Sequence, residues 1–366
     1  MASLSDVAKE AGVSLTTASL VLNRPRQPNR VSEACAQRVR NVADKLGYIP
    51  NYHARSMKLG KAETIAVAID VSGGNGNGDA TVSELADGYF SHLIGGIELH
   101  LRNVGYELLL IGPDHNARAP ERGLQGLRQR RFDGMIVLGV VIDPSHPNLL
   151  ADSPADAPIV AIEYTGETDL PVVDYDERYG VELAVRHLAE LKHKRLLWVG
   201  HNAQRGSLGG GDRQAIFEQT ARRLALRFSA CGYDFHPEPG RTARALHVEQ
   251  AHACMRDYLA DKGSDFTGIV AYNDPVAVGV CAALAQADLH VPRDVSVVGF
   301  DDVEASFCVP RLTSVSHKLT EMGKRAAEMV MEMVNDEAAR ERLRGRREVL
   351  RPELVVREST AEARAV

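Results

Sequence analysis

A chain of 366 residues exceeds one ordinary domain, and 44% hydrophobic with 25% charged residues is the composition of a globular protein of two or three compact units. No apolar run approaches the roughly 18 residues of a membrane span, and the N-terminus lacks the apolar core and small-residue cleavage site of a secretory signal. The net charge of −6 divides unevenly: residues 1–61 hold ten Lys and Arg against four Asp and Glu, or +6, and the rest carry −12, so a small basic unit is expected to meet a polyanion.

Ser3 and Asp6 fit a capping box with Asp in place of Glu. Val7, Ala8 and Ala11 follow as an apolar stripe, and Gly12 is a C-terminal stop. Ser14 predicts the N-cap of a second helix over 15–22, with Ala18, Val21 and Leu22 inward. Leu15, Thr16, Thr17, Ser19 and Leu20 cannot all face inward, which leaves an outer face for a partner. Ser32 caps a third predicted helix, 33–46, whose Val39, Val42, Ala43 and Leu46 face the first two, and Gly47 ends it. Three short helices with a four-residue break between the first two make a helix-turn-helix unit, its second helix shaped for a major groove. Pro50 then stops the run. The stretch YIPNYHARSMKLGK (48–61) predicts a short helix that has almost no apolar stripe and forms only when pressed against something.

The order DVAKEAGVS…TTAS.VLN…RVS…R.R.VA..LGYIPN..AR.M..G closely resembles the LacI family of bacterial transcription regulators over residues 3–60. The resemblance implies that Leu15, Thr16 and Leu20 face base edges, and that Ser3, Ser14, Thr17, Asn23 and Arg30 touch the DNA backbone. It also implies a hinge helix in the minor groove, carried by Asn51, Ala54, Arg55 and Met57, with Met57 as the apolar wedge where Leu is usual. Leu20 departs from the family, standing where Arg or another polar residue is common. Leucine packs on a thymine methyl and cannot make the bidentate contact that reads guanine. RPRQPNR (24–30) is longer than the family segment, which leaves the placement of Arg30 open.

The body alternates apolar runs with helical patterns. Strands are predicted at 64–70, 106–112, 134–140, 158–164, 195–201, 267–273 and 295–301, and amphipathic segments at 84–103, 177–191, 213–230, 247–262 and 274–287. Continuous apolar strands with intervening helices mean parallel sheets covered on both faces, and about ten strands suggest two of them. The fold expected is thus an all-α helix-turn-helix domain (1–47) and hinge (48–61), followed by an α/β two-lobed body (62–366) with two parallel sheets. The resemblance, carried here by RFDGMIVLG, AYNDPVAVG, VPRDVSVVGFDD and LTSVSHKLTEMG, implies lobes like those of a periplasmic sugar-binding protein. It places the first lobe over about 62–168 and 300–316, and the second over about 169–299 and 317–358.

Ligands of open α/β sheets bind beyond the carboxyl ends of the strands. By resemblance, Arg213 and Asp274 contact an effector, with Asn273 beside Asp274, and Tyr89 and Phe90 stack on it. Asp301 and Asp302 follow a strand end, as do the weaker candidates Asp70, Tyr164 and Asp174. The glycine-rich stretch 72–85 precedes no GK[ST] and reads as a loop over the cleft mouth, with Gly209 to Gly211 as a second rim.

The function expected is a sequence-specific DNA-binding regulator, a repressor. It would hold a palindromic operator as a homodimer under control of a sugar, sugar phosphate or nucleoside-like effector. Residues 352–366 lack the leucine heptads that make some relatives tetrameric. A transport-linked solute-binding protein is the alternative for the same body, and the N-terminal unit opposes it. An α/β enzyme would need a nucleophile elbow or a metal-ligand cluster, and the sequence has neither. Catalytic residues, metal and cofactor are therefore expected to be absent. The thirteen histidines are dispersed, and His193 reads as part of a solvated turn. The five cysteines form no CxxC pair and predict reduced thiols in a cytoplasmic protein.

Overall fold

The computed structural model describes residues 2–23, 31–49, 60–69, 88–112, 119–138, 156–164, 168–202, 213–236, 238 and 241–364. Two units divide the chain at Glu63 and Thr64.

The first unit holds α1 (Leu4–Glu10), α2 (Leu15–Asn23) and α3 (Glu33–Leu46). The capping box forms: the Ser3 hydroxyl accepts from the Asp6 N–H, and the Asp6 carboxylate accepts from the Ser3 N–H at 2.9 Å. Ser14 caps α2 by accepting from the Thr17 N–H at 3.0 Å. Gly47 ends α3 at φ +62°, a left-handed conformation that suits glycine, and its N–H returns to Ala43 and Asp44. Val7, Ala8, Ala11, Ala18, Val21, Ala36, Val39 and Ala43 make a small core, tightened where Arg38 Nε donates to the Ala11 carbonyl. The small alanines let three short helices approach closely enough to exclude water.

The second unit contains two six-stranded sheets. Its elements are β1 (Thr64–Ile69), α4 (Gly88–Val104), β2 (Glu107–Ile111), α5 (Ala119–Arg128), β3 (Gly134–Leu138), β4 (Ile159–Ile162) and β5 (Val172–Tyr175). Next come α6 (Glu177–Glu190), β6 (Arg195–His201), α7 (Arg213–Arg223), β7 (Arg227–Tyr233), α8 (Ala243–Lys262), β8 (Gly268–Ala271) and α9 (Asp274–Gln286). The last elements are β9 (Ser296–Phe300), β10 (Thr313–Ser316), α10 (Leu319–Asn335), α11 (Glu337–Leu343), β11 (Arg347–Leu350) and β12 (Glu353–Val355). The sheet orders are β11-β5-β4-β3-β1-β2 and β12-β10-β9-β8-β6-β7. All pairings are parallel except β10 with β12. The central strands are buried on both faces, as their unbroken Val, Ile and Ala runs require.

The chain passes between lobes three times, at Tyr175–Glu177, Ser316–Leu319 and Leu350–Glu353. This corrects the expected lobe limits. β9 and β10 both stay in the second sheet, in register through Thr313 and Val298. α10 and β11 return to the first. The reason lies in α10, whose Leu319, Met322, Ala326, Ala327 and Val330 belong to the first lobe's core. Two glycines let α10 lie directly on α4. A Cβ on Gly96 would stand 2.0 Å from the Thr320 carbonyl oxygen, and one on Gly323 would stand 2.1 Å from that of Leu93.

Other boundaries moved. The amphipathic segment 213–230 breaks at Arg223, and its second half is β7. α8 begins at Ala243, capped by Thr242. β5, β10, β11, β12, α5, α10 and α11 were not read from the sequence. His193 is not solvated: it is 2% exposed and bridges the Thr267 hydroxyl and the Ala361 carbonyl. It thereby fastens the C-terminal strap, whose Ser359 donates to the Val297 carbonyl and accepts from the Thr313 N–H. Among the described residues no helix is long and apolar enough to cross a membrane.

Candidate functional site

The outer face of α2 is built as its sequence requires. Ala18, Ser19 and Val21 are buried, which turns Leu15 and Thr16 outward, with Leu15 54% exposed. Leu20 is half-buried at the edge of that face. Ser14 and Thr17 share a hydroxyl hydrogen bond of 2.8 Å, and the Ser3 hydroxyl donates to Asp6. Arg30, Asn51, Ala54, Arg55 and Met57, and the side chain of Asn23, lie outside the described residues.

The second unit has a cavity of about 160 Å³ between its lobes. The first lobe lines it with Tyr89, Phe90 and Leu93 from α4, Ile162 and Glu163 from the end of β4, and Tyr175 from β5. The second contributes Arg213 at the start of α7, Ala243, Arg244 and His247 from α8, and Tyr272, Asn273 and Pro275 after β8. Asp301, Val303 and Glu304, after β9, complete the described lining. Five of the six predicted effector residues, Tyr89, Phe90, Arg213, Asn273 and Asp301, thus come together.

Asp274 is the correction. Its side chain is fully buried away from the cavity, where one carboxylate oxygen accepts from the Ser314 hydroxyl at 2.7 Å and the other from the Val303 N–H at 2.9 Å. The carboxylate ties the segment after β9 to β10, and Gly299 leaves room for it: a Cβ there would stand 2.3 Å from Asp274 Oδ1. Burial holds the Asp274 carboxyl well above the usual carboxylate range. Asn273, beside it, both caps α9 through the Val276 N–H and reaches the cavity. Asp70 is outside the described residues, Asp174 pairs with Arg347 at 2.6 Å, and Tyr164 and Asp302 do not line the cavity. The stretches 72–85 and 209–211 also lie outside the described residues.

Arg213 is 3% exposed and already committed. Its Nε meets Glu177 at 2.9 Å, its Nη1 donates to the Tyr272 carbonyl at 2.6 Å, and its Nη2 donates to the Tyr175 hydroxyl at 2.8 Å. The guanidinium lies 4.9 Å from the Tyr272 and Phe300 ring centres. It therefore joins elements of both lobes as well as bordering the cavity.

Glu163 was missed by the sequence reading, which chose its neighbour Tyr164. It is a buried carboxyl that accepts from the Tyr89 hydroxyl and sits at φ +55°. Asp301 has φ +90°. Left-handed backbone at non-glycine residues concentrates at functional sites. Burial pushes the Glu163 carboxyl up to about 8, with a further upward push from the Asp174 charge. His317, also missed, lies fully buried in the second crossover, stacked on Tyr175 at 3.8 Å with Nδ1 3.4 Å from Asp301. Burial, and then Arg213, hold it neutral, well below the ordinary imidazole value. Arg244 pairs with Glu304 at 3.0 Å. The one available signal for Glu163 was its strand-end carboxylate in VAIEY. Arg244 and His247 project from the first two turns of α8 and carried no signal.

Residues 3–51 match the model of the lacI family of bacterial regulatory proteins, and residues 185–360 match that of a periplasmic binding protein-like domain. The HTH-type transcriptional repressor PurR of Photobacterium profundum is 28% identical over 365 residues, covering 99% of each chain. The ribose operon repressor of Escherichia coli (strain K12) is 29% identical over 353 residues, 91% of this chain and 93% of that one. A Lac repressor dimer bound to operator and the anti-inducer ONPF shares the fold, with a TM-score of 0.74 at 22% identity over 98% of this chain and 99% of that one. With this N-terminal unit and this two-lobed body, the chain belongs to the LacI family, and it is a DNA-binding transcription regulator.

Proposed function

We propose that the chain represses transcription by holding a palindromic operator as a homodimer, and that a small molecule in the interlobe cavity controls the hold. The observation that carries this reading is the cavity, which is lined from both lobes of a body whose lobes are joined by three crossovers. A ligand that favours one lobe arrangement shifts the population toward it. In a dimer, that shift changes the separation of the two hinge segments, and with it DNA affinity. Coupling of this kind is typically about 1–3 kcal/mol. Leu15, Thr16 and Leu20 read base edges, Ser3, Ser14, Thr17, Asn23 and Arg30 set register on the phosphates, and Asn51, Ala54, Arg55 and Met57 enter the minor groove.

Dimerisation is supported by apolar side chains that the body leaves in water. Phe307, the last residue of a short 3-10 turn, is 86% exposed, and Val309, two residues further on, is 97% exposed. Exposed pairs of this kind mark association surfaces. Selection of binding sites from random duplex DNA by the full chain tests the reading. Recovery of two inverted half-sites is expected, with a dimer in solution by sedimentation. Enrichment of single, unpaired sites by a monomer would refute it.

A further inference from the structure

We infer that the effector carries a planar heteroaromatic ring, of the uncharged nucleobase or nucleoside class, received by a face made of His247 and Tyr272. This inference rests on the effector reading above and narrows it.

The second lobe holds a continuous layer of rings beside the cavity. His247 stacks on Phe235 with centroids 4.4 Å apart and planes inclined by 23°. His201 packs edge-on against Tyr272 at 4.3 Å and lies 5.5 Å from His247. Tyr233 closes the layer, its hydroxyl 2.9 Å from His247 Nδ1. His247 and Tyr272 are the two members that reach the cavity. Across it, Phe90 and Tyr89 pack edge-to-face at 5.4 Å. Rings therefore line the cavity from both lobes.

Two properties of this wall select a flat ring. Stacked aromatic layers extend by one more offset ring, and base–ring stacking is the sequence-tolerant way proteins hold nucleobases. The imidazoles also stay neutral: burial lowers both His201 and His247, to about 4 and about 3. The rings of the wall are thus uncharged and polarisable, with heteroatoms able to meet a ring edge, and the nearest fixed charge is the Arg213 guanidinium, 4.9 Å from the Tyr272 ring centre and already paired with Glu177.

The polar part of the described lining opposes a phosphate. Glu163, Asp301 and Glu304 border the cavity, and both described arginines are engaged, Arg213 with Glu177 and Arg244 with Glu304. A phosphoryl group would meet carboxyl oxygens with no uncommitted guanidinium among the described lining residues. Carboxyl oxygens accept instead from ribose hydroxyls or from exocyclic amines.

The test is thermal unfolding of the full chain, followed by calorimetric titration. The panel is adenosine, guanosine, cytidine, uridine and their free bases, set against ribose, glucose and the nucleoside 5′-monophosphates. At least one nucleoside or base should raise the melting temperature by several degrees at saturation. Ribose and glucose should not, and the matching monophosphate should bind at least tenfold more weakly. His247→Ala should weaken the nucleoside or base at least tenfold, while His247→Phe, which keeps a flat face, should stay within about threefold. Unliganded melts that overlay the parent's exclude misfolding as the cause. A shift with ribose or glucose alone would overturn the ring inference and leave the cavity as an effector site. A monophosphate that binds as well as its nucleoside, or a panel without any shift, would also overturn it. A nucleoside that binds through His247 without changing operator affinity would uphold the ring site and refute the regulatory reading.

Discussion

Thr16 and Leu20 differ in what they ask of DNA. Thr16 is exposed on α2, so truncating it removes a base contact and little else. Thr16→Ala should lower operator affinity several-fold while leaving affinity for unrelated duplexes nearly unchanged. Fluorescence anisotropy with both DNAs measures the difference, and an equal loss on both would contradict base reading. Leu20 predicts the absence of an obligatory guanine opposite it, which the selected half-sites report directly. Inside the body, Glu163 sets a pH dependence. Its folded value of about 8 lies above the ordinary 4.5, so between those limits the folded state holds a proton that the unfolded state releases. Stability from this group is therefore full below pH 4.5 and falls as pH rises toward 8. Melts from about pH 5 to 8 should show a decline that is shallower in Glu163→Gln. A parallel decline in both proteins would place the Glu163 carboxyl outside this titration.

Elements meet here through small residues and shared polar groups. α4 and α10 touch along Gly96 and Gly323, where an added methyl would press on backbone and no side chain could yield. Gly96→Ala or Gly323→Ala should cost about 1–3 kcal/mol or more, as overpacking does, read as a lowered denaturation midpoint with an unchanged slope. Asp274 joins three elements rather than a ligand. Asp274→Ala would orphan the Val303 N–H and the Ser314 hydroxyl, at roughly 1–3 kcal/mol. If that variant kept its midpoint, the tie after β9 would be dispensable. The first unit's helices were legible because each carries its own punctuation, Ser3 with Asp6, Ser14, and Ser32 with Gly47. β7 was not legible, because RFSACGY follows a helix that ends without glycine or proline. The turn is made by Ala225 at φ +54°, a conformation its residue type does not announce.

At the scale of the whole molecule, what matters is which segments belong to which lobe. The first two crossovers bring Tyr175 and His317 together with Arg213 of α7 in one buried cluster, with Asp301 beside it. Arg213→Ala should therefore lower the stability of the unliganded protein as well as any effector response, because the hydrogen bonds to Glu177, to the Tyr272 carbonyl and to the Tyr175 hydroxyl are lost together. Thermal melts without ligand would separate this from a purely ligand-contacting arginine, for which no change is expected.

Local order decided much that is visible in the sequence alone. Capping pairs, heptad-free helices, β-branched runs and a basic segment before an acidic body each depend on neighbours within a few residues, and these already specify a helix-turn-helix followed by parallel sheets. The family resemblance placed Tyr89, Phe90, Arg213 and Asn273, and a strand end placed Asp301, all at one cavity. Tertiary structure alone decided that Asp274 turns into the core, that Glu163 turns out of a strand end, and that α10 returns to the first lobe. It also assembled His201, Phe235, His247 and Tyr272 from four separate segments into one wall. Those outcomes depend on which groups find partners across long stretches of chain. Burying a polar group is tolerated only where such partners exist, and no short window of sequence contains that information.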